Sequence, residues 1–333
     1  MIPSLGRRNT LRGKRNPDCA RCTSRSYRSS SSRCTRPLRQ PRLLIVGCGD
    51  VGQRVLRELR GQWRVRALTS QADSAAALRR LGVLPLQGDL DDPASLRRLA
   101  ALASRVLHLA PPPLAGRDDP RTRALLRSLG RSKAVSRLVY GSTTGVYGNA
   151  AGARFDETRP VAPDTDRAHR RVDAERALRR WALARQAVQP TSVTLLRIPG
   201  IYALDRPGGD PRERLRRGSP VLAGEADPYT NHIHADDLAR ACRLALLRGR
   251  PQRVLHVCDH SDSRMGDHFE QVARLSGLPL PPRLTWEEAV QVLSPVQLSF
   301  LSESRRLVSR RLEQELRLRL RYPTVEFTLR GVG

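Results

Sequence analysis

The chain has 333 residues, enough to bury a sizeable core in one large domain or two. No apolar run approaches the ~18 residues of a membrane-spanning helix, and the N-terminus carries no apolar stretch of the kind a secretory signal needs. The formal net charge is +28, from 60 Lys and Arg against 32 Asp and Glu, and only Lys14 and Lys133 are lysines.

This arginine excess runs through the whole chain. Aromatic residues make up 4% and no nucleic-acid motif is present, so the charge reads as solvated basic faces rather than a patch for nucleic acid. Residues 1–41 are rich in Arg and Ser and poor in apolar residues. They lack the surface to form a core and are expected to be a disordered basic tail. The tail's composition also fits an organelle transit peptide, but it shows no clear amphipathic helix, and a dispensable extension is the preferred reading. Cys19, Cys22 and Cys34 form an incomplete zinc set with no His nearby, so no metal site is expected. Cys48, Cys242 and Cys258 read as small buried residues, and a reducing cytoplasm is the expected location.

The apolar run RLLIV (42–46) reads as a buried strand. Gly47, Gly49 and Gly52 follow in G-x-G-x-x-G spacing, and Val51, Val55, Leu56 and Leu59 then recur at helical spacing. Strand, glycine turn and helix are the parts of a dinucleotide site, in which the helix N-terminus faces the pyrophosphate. Further strands are expected at 63–68, 82–87, 105–110, 137–142 and 192–198. Helices are expected at 51–60, 73–81, 93–103, about 119–131 and 165–187, and Asp92-Pro93 makes a good start for the third. Such alternation predicts an α/β fold, a doubly wound parallel (Rossmann) sheet with its crevice at the carboxyl ends of the strands. Residues 42–200 would form this core, rejoined by 232–260 through a helix at 235–248 and a strand at 253–258. Residues 201–231 and 261–333 would form a small C-terminal α+β substrate region. Helices are expected there at 265–276, 285–293 and 303–318, with RYPTVEF extended near the end.

The strand ends carry the chemistry. Where an NAD site usually places an acid for the ribose, the chain has Thr69-Ser70. Asp73 is nearer the next helix and is read as its cap. This favours NADP over NAD, with Ser70 and a nearby Arg facing the 2′-phosphate. Asp89 stands where an adenine amine could be met. His108 reads as structural, and Tyr140 to Gly148 places a hydroxyl cluster at a strand end.

In this order GCGDVG, GDL, HLA, GSTTGVYG, LRIPGIY and NHIHADDLARA resemble the extended short-chain dehydrogenase/reductase family, the NAD(P)-dependent epimerase/dehydratase group. The resemblance covers about residues 42–333. The tail from MGDHFEQVARLSGLPLPPR to LRYPTV resembles the atypical YeeZ-like branch. By this resemblance Thr143 matches the active-site Ser/Thr, Asp89 the adenine contact and Pro199 the nicotinamide wall. The implied cofactor set is Gly47, Gly49, Asp50, Val51, Gly52, Ser70, Asp89, Leu90, Leu109, Ala110, Thr143, Arg171 and Pro199. His234, Asp236 and Asp237 fall where the substrate region rejoins the core. The family's Tyr-x-x-x-Lys reads Arg167-Ala-His-Arg-Arg171 here. Arg167 and Arg171 keep one helix face, but a permanently charged guanidinium is no general acid. Arg171 is still expected to hold ribose hydroxyls or a phosphate. His169 is offset and reads as solvent-facing. Tyr147, Tyr202, His232 and His234 remain as substitute acids.

The function implied is that of an NAD(P)-binding oxidoreductase or epimerase-like protein acting on an unnamed small molecule. The alternative is a non-catalytic NAD(P)-binding redox sensor. A nucleic-acid binder acting through the basic charge is a third reading.

Overall fold

The computed structural model describes residues 40–59 and 61–331. The expectations for the tail, including Cys19, Cys22 and Cys34, lie outside the described residues. Seven parallel strands form the central sheet: β1 Arg42–Val46, β2 Arg64–Thr69, β3 Leu84–Gln87, β4 Arg105–His108, β5 Arg137–Thr143, β6 Ser192–Ile198 and β7 Arg253–His256. Their order is β7-β6-β5-β4-β1-β2-β3. The order reverses beside β1, which pairs Val46 with Leu68 of β2 on one side and with His108 of β4 on the other. A ligand crevice opens at such a reversal, beyond the strands' carboxyl ends.

Alternation along β1 builds both faces. Leu43 and Ile45 enter one core with Val55 and Leu59 of helix α1 (Asp50–Leu59) and Leu78 of α2 (Ala72–Arg80). Leu44 and Val46 enter the other, with Leu125 and Leu129 of α3 (Pro120–Gly130) and Leu178 of α4 (Asp166–Ala184). Full burial of each such side chain stabilises the fold by about 1.5–3 kcal/mol. The 14-residue helix Ala235–Arg248 packs with α1 in the first core and returns the chain to β7. No helix among the described residues is long and apolar enough to cross a membrane.

Four expectations need correction. The helix expected at 93–103 is a short 3-10 turn, Ser95–Leu99. The Ser95 hydroxyl donates to the Asp92 carbonyl at 2.7 Å, and Ala101 sits at φ 64°, so the backbone leaves the helical path at both ends. Asp73 is no cap: Gln71 holds that position, without a side-chain hydrogen bond, and Asp73 lies in the first turn of α2. The stretch 303–318 divides into an extended pair, Arg306–Leu307 against Arg154–Phe155, and a one-turn helix, Arg310–Gln314. RYPTVEF is not extended, because the Thr324 hydroxyl accepts from the Phe327 N–H and starts a helix at Val325–Leu329. A helix at Pro295–Leu301, opened by a Ser294 and Gln297 capping box, lies outside the expected set.

Candidate active site

The chain turns from β1 into α1 through Gly47. Its φ is +88°, and a Cβ there would lie 2.4 Å from the Ala110 nitrogen, so only glycine lets the ends of β1 and β4 meet this closely. At Gly49 a Cβ would meet nothing within 4 Å. That open space over the helix N-terminus is what a pyrophosphate requires.

Three cavities adjoin along the crevice. The first, about 430 Å³, lies beside β2 and β3 and is lined by Gly47, Gly49, Ser70, Asp89, Leu90 and Ala110 among others. A second, about 410 Å³, shares the two glycines and adds Asp50, Val51, Gly52, Leu109, Thr143, Arg171 and Pro199. Thr143 and Pro199 also line the third, about 540 Å³, which takes in Arg167. The cofactor-set residues named from the sequence therefore line one trough, which meets a further pocket at Thr143 and Pro199.

The end beside β2 and β3 is where the sequence expects the adenosine. No acid lines it at Thr69-Ser70. Arg121 lines the cavity, but Asp91 takes both its Nε and its Nη2, at 2.8 and 2.5 Å. The Asp89 carboxylate accepts from the Asp91 N–H at 2.9 Å.

At the other end, Thr165 caps α4 and sets Arg167 and Arg171 one turn apart. Arg171 Nη1 donates to the Tyr140 hydroxyl and to the Gly141 carbonyl, each at 3.0 Å, which ties this arginine to the end of β5. Burial pushes the Tyr140 phenol up to about 12. The Arg167 guanidinium lies over the Phe300 ring at 4.1 Å, with Nη2 3.9 Å from Glu303 Oε1.

The substitute acids separate clearly. Tyr147 is fully buried and spent internally. With His256 Nδ1 donating to the Val308 carbonyl at 3.0 Å, His256 Nε2 accepts the Tyr147 hydroxyl at 2.6 Å. Arg197 Nη1 donates to that hydroxyl at 2.6 Å and pairs with Glu175, which also accepts from Ser142 at 2.6 Å. His234 accepts from the Asp236 N–H at 3.2 Å and stacks on Tyr322, so it works as a helix cap. Asp237 accepts the Arg321 and Tyr322 N–H groups and pins the C-terminal stretch. Tyr202 and His232 do line the third cavity, where His232 stacks on His268 with ring centres 4.0 Å apart. Burial pushes His232 down to about 4 and His268 well below its ordinary value, so both are neutral imidazoles near neutral pH. His169 is half-buried, with Nε2 against Arg117, and does not line these cavities. His108 is structural as expected, buried and bonded to the Thr122 hydroxyl at 3.0 Å.

Glu303 is the residue that sequence reasoning missed. It is among the residues that line the third cavity, with Thr143 and Arg167. Its side chain is 3% exposed, Oε2 pairs with Arg305 at 2.6 Å, and Oε1 has no hydrogen-bond partner among the described residues. In SESRR it reads as one solvated charge on a helix. The chain is extended there instead, and the Asn149 amide oxygen accepts the Ser304 N–H at 3.1 Å.

A parallel sheet reversing beside a glycine turn, with the trough above it, defines a Rossmann-type nucleotide-binding α/β protein. Residues 43–258 match the model of the NAD dependent epimerase/dehydratase family, and the chain belongs to that family. A conserved protein of unknown function from Silicibacter pomeroyi is 30% identical, with a TM-score of 0.72 over 88% of this chain and 98% of its own. Two more distant structures share the fold. A dTDP-glucose 4,6-dehydratase double mutant from Streptomyces venezuelae, with NAD bound, is 20% identical, with a TM-score of 0.68 over 86% of this chain and 95% of its own. A UDP-glucose 4-epimerase from Thermotoga maritima is 18% identical, with a TM-score of 0.68 over 86% and 96%. No curated protein matches the chain.

Proposed function

We propose that the chain binds NAD(P)(H) along the trough and transfers hydride to or from a small hydroxyl- or carbonyl-bearing substrate in the third cavity. The observation that carries this reading is the meeting of the cofactor trough and the substrate cavity at Thr143 and Pro199. Gly47 to Gly52 with the first N–H groups of α1 hold the pyrophosphate, Asp89 and Leu90 face the adenine end, and Pro199 lines the nicotinamide end. When bound, the nicotinamide supplies the hydride acceptor or donor. The Thr143 hydroxyl orients the substrate oxygen. In alcohol oxidation the carbinol C–H leaves with its electron pair as hydride, and the O–H proton passes to Glu303 Oε1, leaving a carbonyl. Reduction returns the hydride to carbon and the proton to oxygen. Arg167 and Arg305 fix the Glu303 carboxylate and take no proton. Free thiols at Cys48, Cys242 and Cys258 support a reducing, cytoplasmic setting.

A cofactor-binding sensor without turnover is the second reading. The commitment of Arg171 to the end of β5 favours it, since that guanidinium helps no proton relay. Mass spectrometry of nucleotides and small molecules that co-purify with the chain separates the readings. Oxidoreduction of the co-purified molecule is expected, with turnover lost in Glu303→Gln. A bound dinucleotide with no redox turnover of any co-purified molecule would favour the sensor.

A further inference from the structure

Asp50 opens α1 inside the trough, among the glycines that approach a pyrophosphate. A bare carboxylate there would repel a diphosphate. Two arginines cover it: Arg54 Nε at 3.0 Å and Arg206 Nη1 at 2.6 Å. Arg54 has nothing left for a ligand. Its side chain is 2% exposed, and its remaining nitrogens reach Asp236 and Asp205, each at 2.6 Å. Arg206 is different. It lines the trough with Gly49 and Arg171, its side chain is 26% exposed, and its other donors have no partner among the described residues.

The loop that carries Arg206 is built to hold it there. Asp205 anchors the loop through Arg54, the Arg206 N–H donates to the Ala203 carbonyl at 3.2 Å, and the Gly209 N–H donates back to Arg206 at 2.9 Å. A Cβ on Gly209 would lie 2.4 Å from Arg206 Cδ and 2.8 Å from Nε, so the bare glycine makes the bed for the arginine stem. Asp50 then aims the guanidinium across the glycine turn.

We propose that Arg206 is a diphosphate clamp, carried over the trough by the substrate-region loop 203–209 and shared between Asp50 and the pyrophosphate of a bound dinucleotide. The proposal rests on the NAD(P) reading above and adds a contact from outside the glycine motif. The planar fork has donors enough for a carboxylate on one edge and a phosphate on the other.

Titration calorimetry of the full chain with NAD⁺, NADP⁺, ADP and adenosine tests this in the parent, Arg206→Gln and Gly209→Ala. Arg206→Gln should weaken both dinucleotides and ADP by about tenfold or more, because each loses a charge-assisted contact. Adenosine, which lacks phosphate, should bind equally to both. Gly209→Ala should show the same pattern with the arginine still present, because its stem is displaced. Unchanged ADP and dinucleotide affinity in Arg206→Gln would overturn the clamp and leave the cofactor reading standing. An equal loss of adenosine would assign Arg206 a structural role and overturn the clamp as well. A parent that binds neither dinucleotide would overturn both.

Discussion

The trough over Gly47 and the cavity beyond Thr143 are built by different means. The first cavity of the trough uses the ends of β1 to β4, strands that follow one another in the sequence, each delivering its residue where the doubly wound pattern ends it. The cavity draws on stretches from Thr143 to Arg305 that share no period and meet only after folding. Their chemistry differs too. Backbone and glycine dominate the first, whereas the second holds neutral buried histidines, a carboxylate and several arginines. The glycine turn is therefore written locally, and the cavity is a tertiary property.

The largest expected effect lies on the border between the two. Arg197 and Glu175 pair at 2.7 Å with both side chains 5% exposed, and through Ser142 they hold the end of β5 beside Thr143. Arg197→Met leaves a buried carboxylate without its cation and should cost about 3–5 kcal/mol in urea unfolding. A loss under about 1 kcal/mol would mean that the border is held by packing alone.

A second effect belongs to the substrate side. Burial raises the Asp259 carboxyl to about 7, while the unfolded group titrates near its ordinary ~4. The folded state thus binds the extra proton, and the parent loses stability as pH rises through that window. Asp259→Asn should gain roughly 2 kcal/mol at about pH 8 and almost nothing at about pH 4. An equal gain at both would trace the effect to packing. The buried histidines act with the opposite sign. His108 is pushed down to about 3, and His232 and His256 to about 4, so their contribution is present above about pH 6.5 and lost on acidification. The parent should therefore melt at lower temperature as pH falls from about 6.5 towards about 4. A flat profile would mean these imidazoles are more hydrated than their burial implies.

The same contrast explains what the sequence disclosed. RLLIV, the glycine spacing and the alternation of Leu43 to Val46 between two cores carry local periods, so strand, turn and helix were legible to within a residue or two. Arg167 and Arg171 were expected on one helix face, and α4 holds both, one turn apart. Glu303 and Arg206 were not legible. Each is one charge among many in an arginine-rich chain, and each meets a charged group far away in sequence, Arg167 for Glu303 and Asp50 for Arg206.

The smallest effect concerns neither half. Deleting residues 1–40 should leave the melting temperature almost unchanged, because a segment this poor in apolar residues contributes no core. A shift of several degrees would tie the tail, with Cys19, Cys22 and Cys34, to the fold.

The most direct test of a dinucleotide trough over the glycine turn is calorimetric titration of the parent and Gly49→Val with NAD⁺ and NADP⁺. A Cβ at Gly49 meets nothing within 4 Å, so the variant should melt with the parent while its side chain fills the pyrophosphate space. The account predicts saturable binding by the parent and none detectable by Gly49→Val. Equal binding by the two proteins would contradict it.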